Sequence, residues 1–162
     1  MEGIVDIDCY MLKENIIDFL KTGELTNFPF GISLTIVFSI LGETKWTIPI
    51  SRKDRRIAVA KYGQIEFYFD YGFPQKLHGI KVIYSEMGKK GIIQRFEGEK
   101  GRMKVNYQRF EGEVSYTETK KILFEHDIDF QEDRNGQIIF TEKGVVFYFD
   151  ENDFLQTFQR FV

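Results

Sequence analysis

The chain has 162 residues, a formal net charge of −3 and 43% hydrophobic residues, which is typical of one ordinary domain or of two small halves sharing a core. Its three prolines argue against a disordered chain, and no apolar run reaches the roughly 20 residues needed to cross a bilayer. Seventeen Phe and eight Tyr predict a core of large aromatic side chains. The acidic N-terminus resembles no signal peptide, and Cys9 stands alone, so we expect a cytoplasmic protein without disulfides.

Hydrophobic periodicity predicts two helices in the first part of the chain, after an edge strand or frayed end in residues 1–9. The first helix starts at Tyr10, with apolar residues at helical spacing, and ends at Gly23. The second starts after the N-cap residue Ser33 and ends at Gly42. Because this second helix is apolar on nearly all sides, we place it against a sheet, with the first helix outside or beside it.

Strands follow the second helix. A short strand is expected at 46–50, then a charged loop at 51–56, then three antiparallel strands at 57–62, 64–70 and 77–84. Residues 85–113 are rich in glycine and charge, which predicts a connecting hairpin or linker. The segment carries RFEGE twice, which we attribute to its composition rather than to a binding motif.

The second half of the chain repeats the first. The tetrapeptide FYFD occurs at 67–70 and again at 147–150, and the helical pattern returns at Ser115, 82 positions after Ser33 (115 minus 33). Strands are expected at 128–132, 137–141 and 145–150. The segment from Leu155 suits a strand or a helix, and the repeat favours a strand.

These patterns predict an α+β fold. Its antiparallel sheet is built from two diverged helix–strand–strand–strand repeats, with the helices packed on one face. The expected divisions are 1–84 for the first repeat, 85–113 for the connecting segment and 114–162 for the second repeat, all within one globular unit.

Residues 131–142 follow the spacing of an EF-hand calcium loop. However, Gln131 is neutral where that loop needs Asp, and the flanking segments have strand patterns. Asn135-Gly136 between apolar runs is a strong hairpin signal, so we interpret the segment as a hairpin.

Catalytic motifs are not found in the sequence. His78 and His126 lack neighbouring ligands at metal-binding spacing, and no phosphate-binding glycine loop or nucleophile motif occurs. We therefore predict no enzyme activity, no cofactor and no metal site.

Charge is distributed unevenly along the chain. Five basic residues lie between Arg52 and Lys61, and nine acidic residues lie between Glu125 and Asp153. These stretches are either two solvated faces or docking surfaces, the acidic one for a basic partner. Nucleic acid is a less favoured partner, because the isoelectric point is near 5.5.

A family resemblance is carried by Gly31-Ile32-Ser33 through Val37 to Leu41-Gly42, followed by a meander of strands. This pattern resembles the helix–sheet unit of SmpA/OmlA-type outer-membrane assembly lipoproteins and of the β-lactamase inhibitor protein, which has tandem copies. The strand at 61–70 also looks like small bacterial proteins of toxin–immunity loci. The resemblance implies a bacterial immunity or inhibitor protein that binds a partner protein, such as a basic toxin, stoichiometrically.

A sheet covered by helices on one face leaves the other face free for a partner. We expect the partner-binding residues to be Trp46, Glu66, Tyr68 and Tyr148, with Asp127 and Asp129 in the acidic half. The aromatic residues are equally compatible with an ordinary half-exposed sheet surface. A domain that binds a small ligand or nucleic acid is the alternative function.

Overall fold

The computed structural model describes residues 11–84, 95–97, 102–110, 112–133 and 138–162. The strand expected in residues 1–9 and the turn expected at Asn135-Gly136 lie outside these ranges. The elements in chain order are β1 (Met11–Asn15), α1 (Ile16–Thr22), α2 (Leu34–Leu41), β2 (Thr47–Pro49), β3 (Ile57–Tyr62), β4 (Ile65–Phe69), β5 (Leu77–Ile83), β6 (Arg95–Glu97), β7 (Arg102–Asn106), α3 (Tyr116–Glu125), β8 (Phe130–Glu132), β9 (Ile138–Thr141), β10 (Val146–Phe149) and β11 (Leu155–Phe161).

An eight-stranded antiparallel sheet with the order β2-β3-β4-β5-β11-β10-β9-β8 forms the body of the molecule. The α+β prediction is therefore confirmed, and the segment from Leu155 is a strand, as the repeat indicated. Each repeat also carries a short outermost strand, β2 in the first and β8 in the second. A smaller sheet has the order β1-β7-β6, in which β1 and β7 run parallel.

The predicted start of the first helix was wrong. Residues that we assigned to the helix from Tyr10 onward form β1, and α1 begins at Ile16. In the pairing of β1 with β7, Leu12 lies opposite Met103, 91 positions away (103 minus 12). Because this pairing joins distant parts of the chain, it overrides the helical pattern and cannot be read from local periodicity.

The two ends of α1 have standard caps. Asn15 caps its start, because the Asn15 side chain accepts hydrogen bonds from the backbone N–H groups of Ile17 (2.9 Å) and Asp18 (3.3 Å). Gly23 ends the helix in the left-handed conformation, as predicted.

The two repeats are joined by the pairing of β5 with β11 at the centre of the large sheet. Leu155 corresponds to Leu77 in the repeat, an offset of 78 positions (155 minus 77). In the observed register, Gly79 lies opposite Phe161 and Ile83 lies opposite Thr157, with Lys81 opposite Gln159 at the midpoint. An approximate two-fold axis therefore passes between Lys81 and Gln159 and relates the two repeats.

Matching hydrogen bonds connect each helix to its own sheet strands. The N-caps Ser33 and Ser115 accept from the backbone N–H groups of Ile36 (3.2 Å) and Glu118 (3.1 Å). The backbone N–H of Leu34 donates to the carbonyl of Gln75, and that of Tyr116 donates to the carbonyl of Asp153. The strand register also shifts at the same place in both repeats, after Tyr68 and after Tyr148.

One face of the large sheet carries the core. Phe67, Phe147 and Phe158 point into this core and are fully buried. Rings from segments outside the sheet pack on them: Phe19 of α1 on Phe158 (6.4 Å between centroids), and Phe28 on Phe67 (5.3 Å). Residues of β1, α1, α2 and α3 thus contribute to one core on one side of the sheet.

Glu14 is a buried carboxylate in β1, with only 3% of its surface exposed. It accepts hydrogen bonds from the backbone N–H groups of Thr26 (2.9 Å) and Asn27 (2.8 Å) and from the Asn27 side chain (3.1 Å). Burial raises the pKa of Glu14 above its usual 4.5, although these hydrogen bonds act in the opposite direction. The carboxylate fixes the loop that carries Phe28 onto the sheet.

We expect Glu14→Ala to lower the free energy of unfolding by about 1–3 kcal/mol, because it leaves backbone donors without their acceptor. Glu14→Gln keeps one acceptor oxygen and should cost less. Urea unfolding followed by circular dichroism measures both variants. Equal stability of Glu14→Ala and the wild type would contradict this role.

A second prediction concerns Asp70, whose Oδ1 accepts from the backbone N–H groups of Gly72 (3.1 Å) and Lys76 (2.9 Å). The Lys76 N–H is the main reason why the pKa of Asp70 lies below its usual 3.8. The ionised Asp70 carboxylate therefore stabilises the folded state fully above pH 3.8, its pKa in the unfolded chain. This stabilisation is lost as the pH falls through the lower pKa that Asp70 has in the folded state. Asp70→Ala should unfold at lower urea concentration than Asp70→Asn, which keeps the acceptor oxygen, and equal midpoints would contradict this.

Candidate functional site

The face of the large sheet that points away from the core is called the open face here. Side chains alternate along each strand, so the residues between the buried ones of β4, β5, β10 and β11 lie on this face, and the register shift in β5 brings the His78 ring to it as well. They are Glu66, Tyr68, His78, Lys81, Ile83, Val146, Tyr148, Thr157, Gln159 and Phe161. None of these side chains belongs to the buried core cluster.

An aromatic cluster lies at the centre of the open face. The Phe161 ring contacts the Tyr68 ring edge-to-face at 4.9 Å and the His78 ring at 5.9 Å. Gly79 lies directly opposite Phe161, and a side chain at Gly79 would overlap the ring. The absence of a side chain at Gly79 therefore creates the space that Phe161 fills, yet 42% of Phe161 stays exposed.

Tyr68 and Glu66 form a polar pair next to this cluster. The Tyr68 hydroxyl donates a 2.9 Å hydrogen bond to Glu66 Oε1. Burial and this carboxylate raise the pKa of Tyr68 well above its usual 10. Tyr68 therefore stays protonated at neutral pH and holds the Glu66 carboxylate beside the rings.

The second repeat makes its part of the open face more apolar. Tyr148 is the counterpart of Tyr68, and it lies between Thr157 and Ile138 in the register. Phe140 lies opposite Val146, and Phe140 and Tyr148 are each 36% exposed. The open face thus changes from charged on β4 and β5 to apolar on β9 and β10.

The structure brings only some of the predicted site residues together. Glu66, Tyr68 and Tyr148 share the open face, whereas Trp46 lies at the β2 edge, where its carbonyl accepts from the Lys61 N–H. Asp127 and Asp129 lie at the opposite edge, between α3 and β8.

Sequence reasoning missed Phe161, Gly79 and Phe140. The sequence could have predicted that Phe161 lies on the open face. A strand from Leu155 places Phe158 and Phe161 on opposite faces, whereas a helix would place them together.

Comparison with known proteins does not assign this chain to a family. The chain matches no protein-family model, no curated protein and no solved structure. Within the described ranges, no group of three or more His, Cys, Asp or Glu side chains is placed to hold a metal ion. No helix in that part of the chain is long and apolar enough to span a membrane.

The contact between Gly79 and Phe161 makes a prediction that can be tested with a double-mutant cycle. Gly79→Ala should destabilise the protein by about 1–3 kcal/mol, because the new methyl group displaces the Phe161 ring. In a Phe161→Ala background the same substitution should cost nothing, since the space is then empty. Urea unfolding of the four proteins gives the coupling energy, and additive effects would contradict the packing described above.

Proposed function

We propose that this protein is a non-catalytic binding module that uses the open face to bind a partner protein stoichiometrically. The observation that carries this proposal is the half-exposed aromatic pair of Tyr68 and Phe161, which joins the two repeats, together with Tyr148 and Phe140 on the same face. Tyr and Phe side chains bury much surface at little cost in conformational entropy, which suits them to the centre of an interface.

The size of the open face supports a protein partner. Seven spacings of about 4.8 Å across eight strands, with strands of roughly 17 Å, give a surface of about 600 Å². Specific protein interfaces bury about 800 Å² on each partner. The open face is therefore somewhat smaller than one side of such an interface, and a partner would also cover residues at its edges.

The resemblance to immunity and inhibitor modules supports a narrower proposal. In it, the partner is a toxic bacterial protein that this chain neutralises in the cytoplasm by one-to-one binding. A basic partner is favoured by the excess of acidic residues between Glu125 and Asp153.

The proposal is tested by capturing the partner with tagged protein, identifying it and measuring its affinity by calorimetry. We expect the Tyr68→Ala and Tyr148→Ala double variant to lose about 30-fold or more in affinity, equivalent to about 2 kcal/mol for an interface centre. The enzymatic or toxic activity of the partner should disappear at a one-to-one ratio.

Phe73→Ala is the matched control, because Phe73 is an aromatic residue that is 87% exposed in the loop between β4 and β5. Its removal should leave the affinity unchanged, and urea unfolding should show all variants folded. Unchanged affinity in the double variant would exclude the open face as the binding site. Full partner activity in a saturated complex would exclude inhibition.

A further inference from the structure

The two edges of the large sheet are equivalent in fold and opposite in charge. The outermost strands β2 and β8 each pair with a neighbour on one side only, among the described strands. The chain near β2 carries the exposed basic residues Lys45, Arg52, Lys53 and Arg55. The chain near β8 carries the acidic residues Asp127, Asp129, Glu132 and Glu142, of which Glu132 forms an ion pair with Lys120 (3.1 Å).

The backbone of β8 has groups directed away from the sheet. The Asp129 carbonyl accepts from the Glu142 N–H (3.1 Å), and the Asp133 N–H donates to the Ile138 carbonyl (3.0 Å), so these residues bond toward β9. Backbone groups alternate in direction along an antiparallel strand. Phe130 and Glu132 therefore direct their N–H and C=O groups outward, where an added strand would bond.

Two grooves adjoin this edge. One, of about 250 Å³, is lined by Phe124, Asp127, Ile128, Asp129 and Phe130. The other, of about 260 Å³, is lined by Asp129, Phe130, Gln131, Phe140, Thr141 and Glu142. Both grooves combine apolar walls with carboxylates, and Phe124 is 80% exposed. Asp127 and Asp129 form no ion pair with any cation of the described residues.

The end of α3 holds this surface in place. Asp127 has a φ of 56°, and its N–H donates to the Phe124 carbonyl, while the Ile128 N–H donates to the Leu123 carbonyl. These hydrogen bonds close the helix around a left-handed position, which favours glycine. The chain has Asp there instead, which keeps a carboxylate beside the groove at some cost in stability.

We propose that β8 docks an extended, basic segment of the partner protein as an additional strand. An apolar side chain of that segment fills the groove beside Phe124, and its Lys or Arg side chains lie next to Asp127 and Asp129. The inference rests on the proposed function in taking the partner to be a protein. The added strand would pair with the edge of β8, which adjoins the open face at Phe140.

A second copy of this chain fits the edge less well. Antiparallel pairing of β8 with β8 brings the carboxylates of Asp129, Glu132 and Asp133 together. Pairing of β8 with β2 meets Pro49, which has no N–H to donate. Charge and backbone chemistry therefore both favour a basic segment from another protein.

The test is an NMR titration of the ¹⁵N-labelled full chain with a short synthetic peptide in which lysine alternates with valine and phenylalanine. The amide signals of Phe130 and Glu132 should shift, and the affinity should fall as salt is added. A peptide with glutamate in place of lysine should not bind. Shifts centred on β2 or on the open face, or equal binding of both peptides, would overturn the proposal. Broadening of the β8 signals with protein concentration alone would indicate self-association and would also overturn it.

The Asp127→Gly variant distinguishes an effect on peptide affinity from an effect on stability. It should unfold at higher urea concentration than the wild type, because glycine suits the left-handed position, yet bind the lysine peptide several-fold more weakly. Asp129→Lys should weaken binding about tenfold. Arg52→Glu at the β2 edge is the matched control and should leave peptide binding unchanged. Unchanged binding in both acidic-edge variants would overturn the proposal.

The two proposals fail in distinguishable ways. If the open face is not the binding site, the Tyr68→Ala and Tyr148→Ala variant keeps its affinity for the captured partner and for the peptide. If the β8 edge is not a docking site, Asp129→Lys keeps its affinity for the lysine peptide whatever the open-face variant does.

Discussion

The structure depends on the antiparallel pairing of β5 with β11, which joins two sets of four strands into one sheet of eight. Phe158 lies opposite Val82 in this pair, and both side chains are fully buried in the core. The pairing places the approximate two-fold axis at the middle of the sheet. Because the axis is perpendicular to the sheet, the helices of both repeats lie on the same face, and the other face stays continuous across both repeats.

The segment before α2 and the segment between β5 and α3 complete the core on the helical face. Arg160 of β11 donates a 2.7 Å hydrogen bond to the Gly23 carbonyl at the end of α1, and its guanidinium lies over the Phe30 ring. Phe110, which follows β7, stacks on Phe147 at 5.9 Å. These contacts cover the boundary between the repeats with apolar and aromatic side chains, and they form a larger core than either repeat could form alone.

Divergence between the repeats gives the molecule its chemical asymmetry. Gly79 and Thr157 occupy equivalent positions, but only Gly79 leaves space for a ring opposite it, so the aromatic cluster forms on one side of the axis. The two sheet edges diverge in the same way, with basic residues near β2 and acidic residues near β8. A nearly symmetric fold thus has a surface whose two halves and two edges differ in chemistry.

The sequence by itself determined the strands and helices of both repeats, the antiparallel α+β fold, and the open-face positions of Glu66, Tyr68 and Tyr148. These follow from periods of two and 3.6 residues and from FYFD at 67–70 and 147–150, all of which are local. Only the tertiary structure decided that β1 is a strand, because its pairing with β7 joins distant parts of the chain. It also decided that Phe161 lies over Gly79 and that Trp46 and Asp129 lie at opposite edges, since cross-strand register depends on contacts between repeats that no local pattern records.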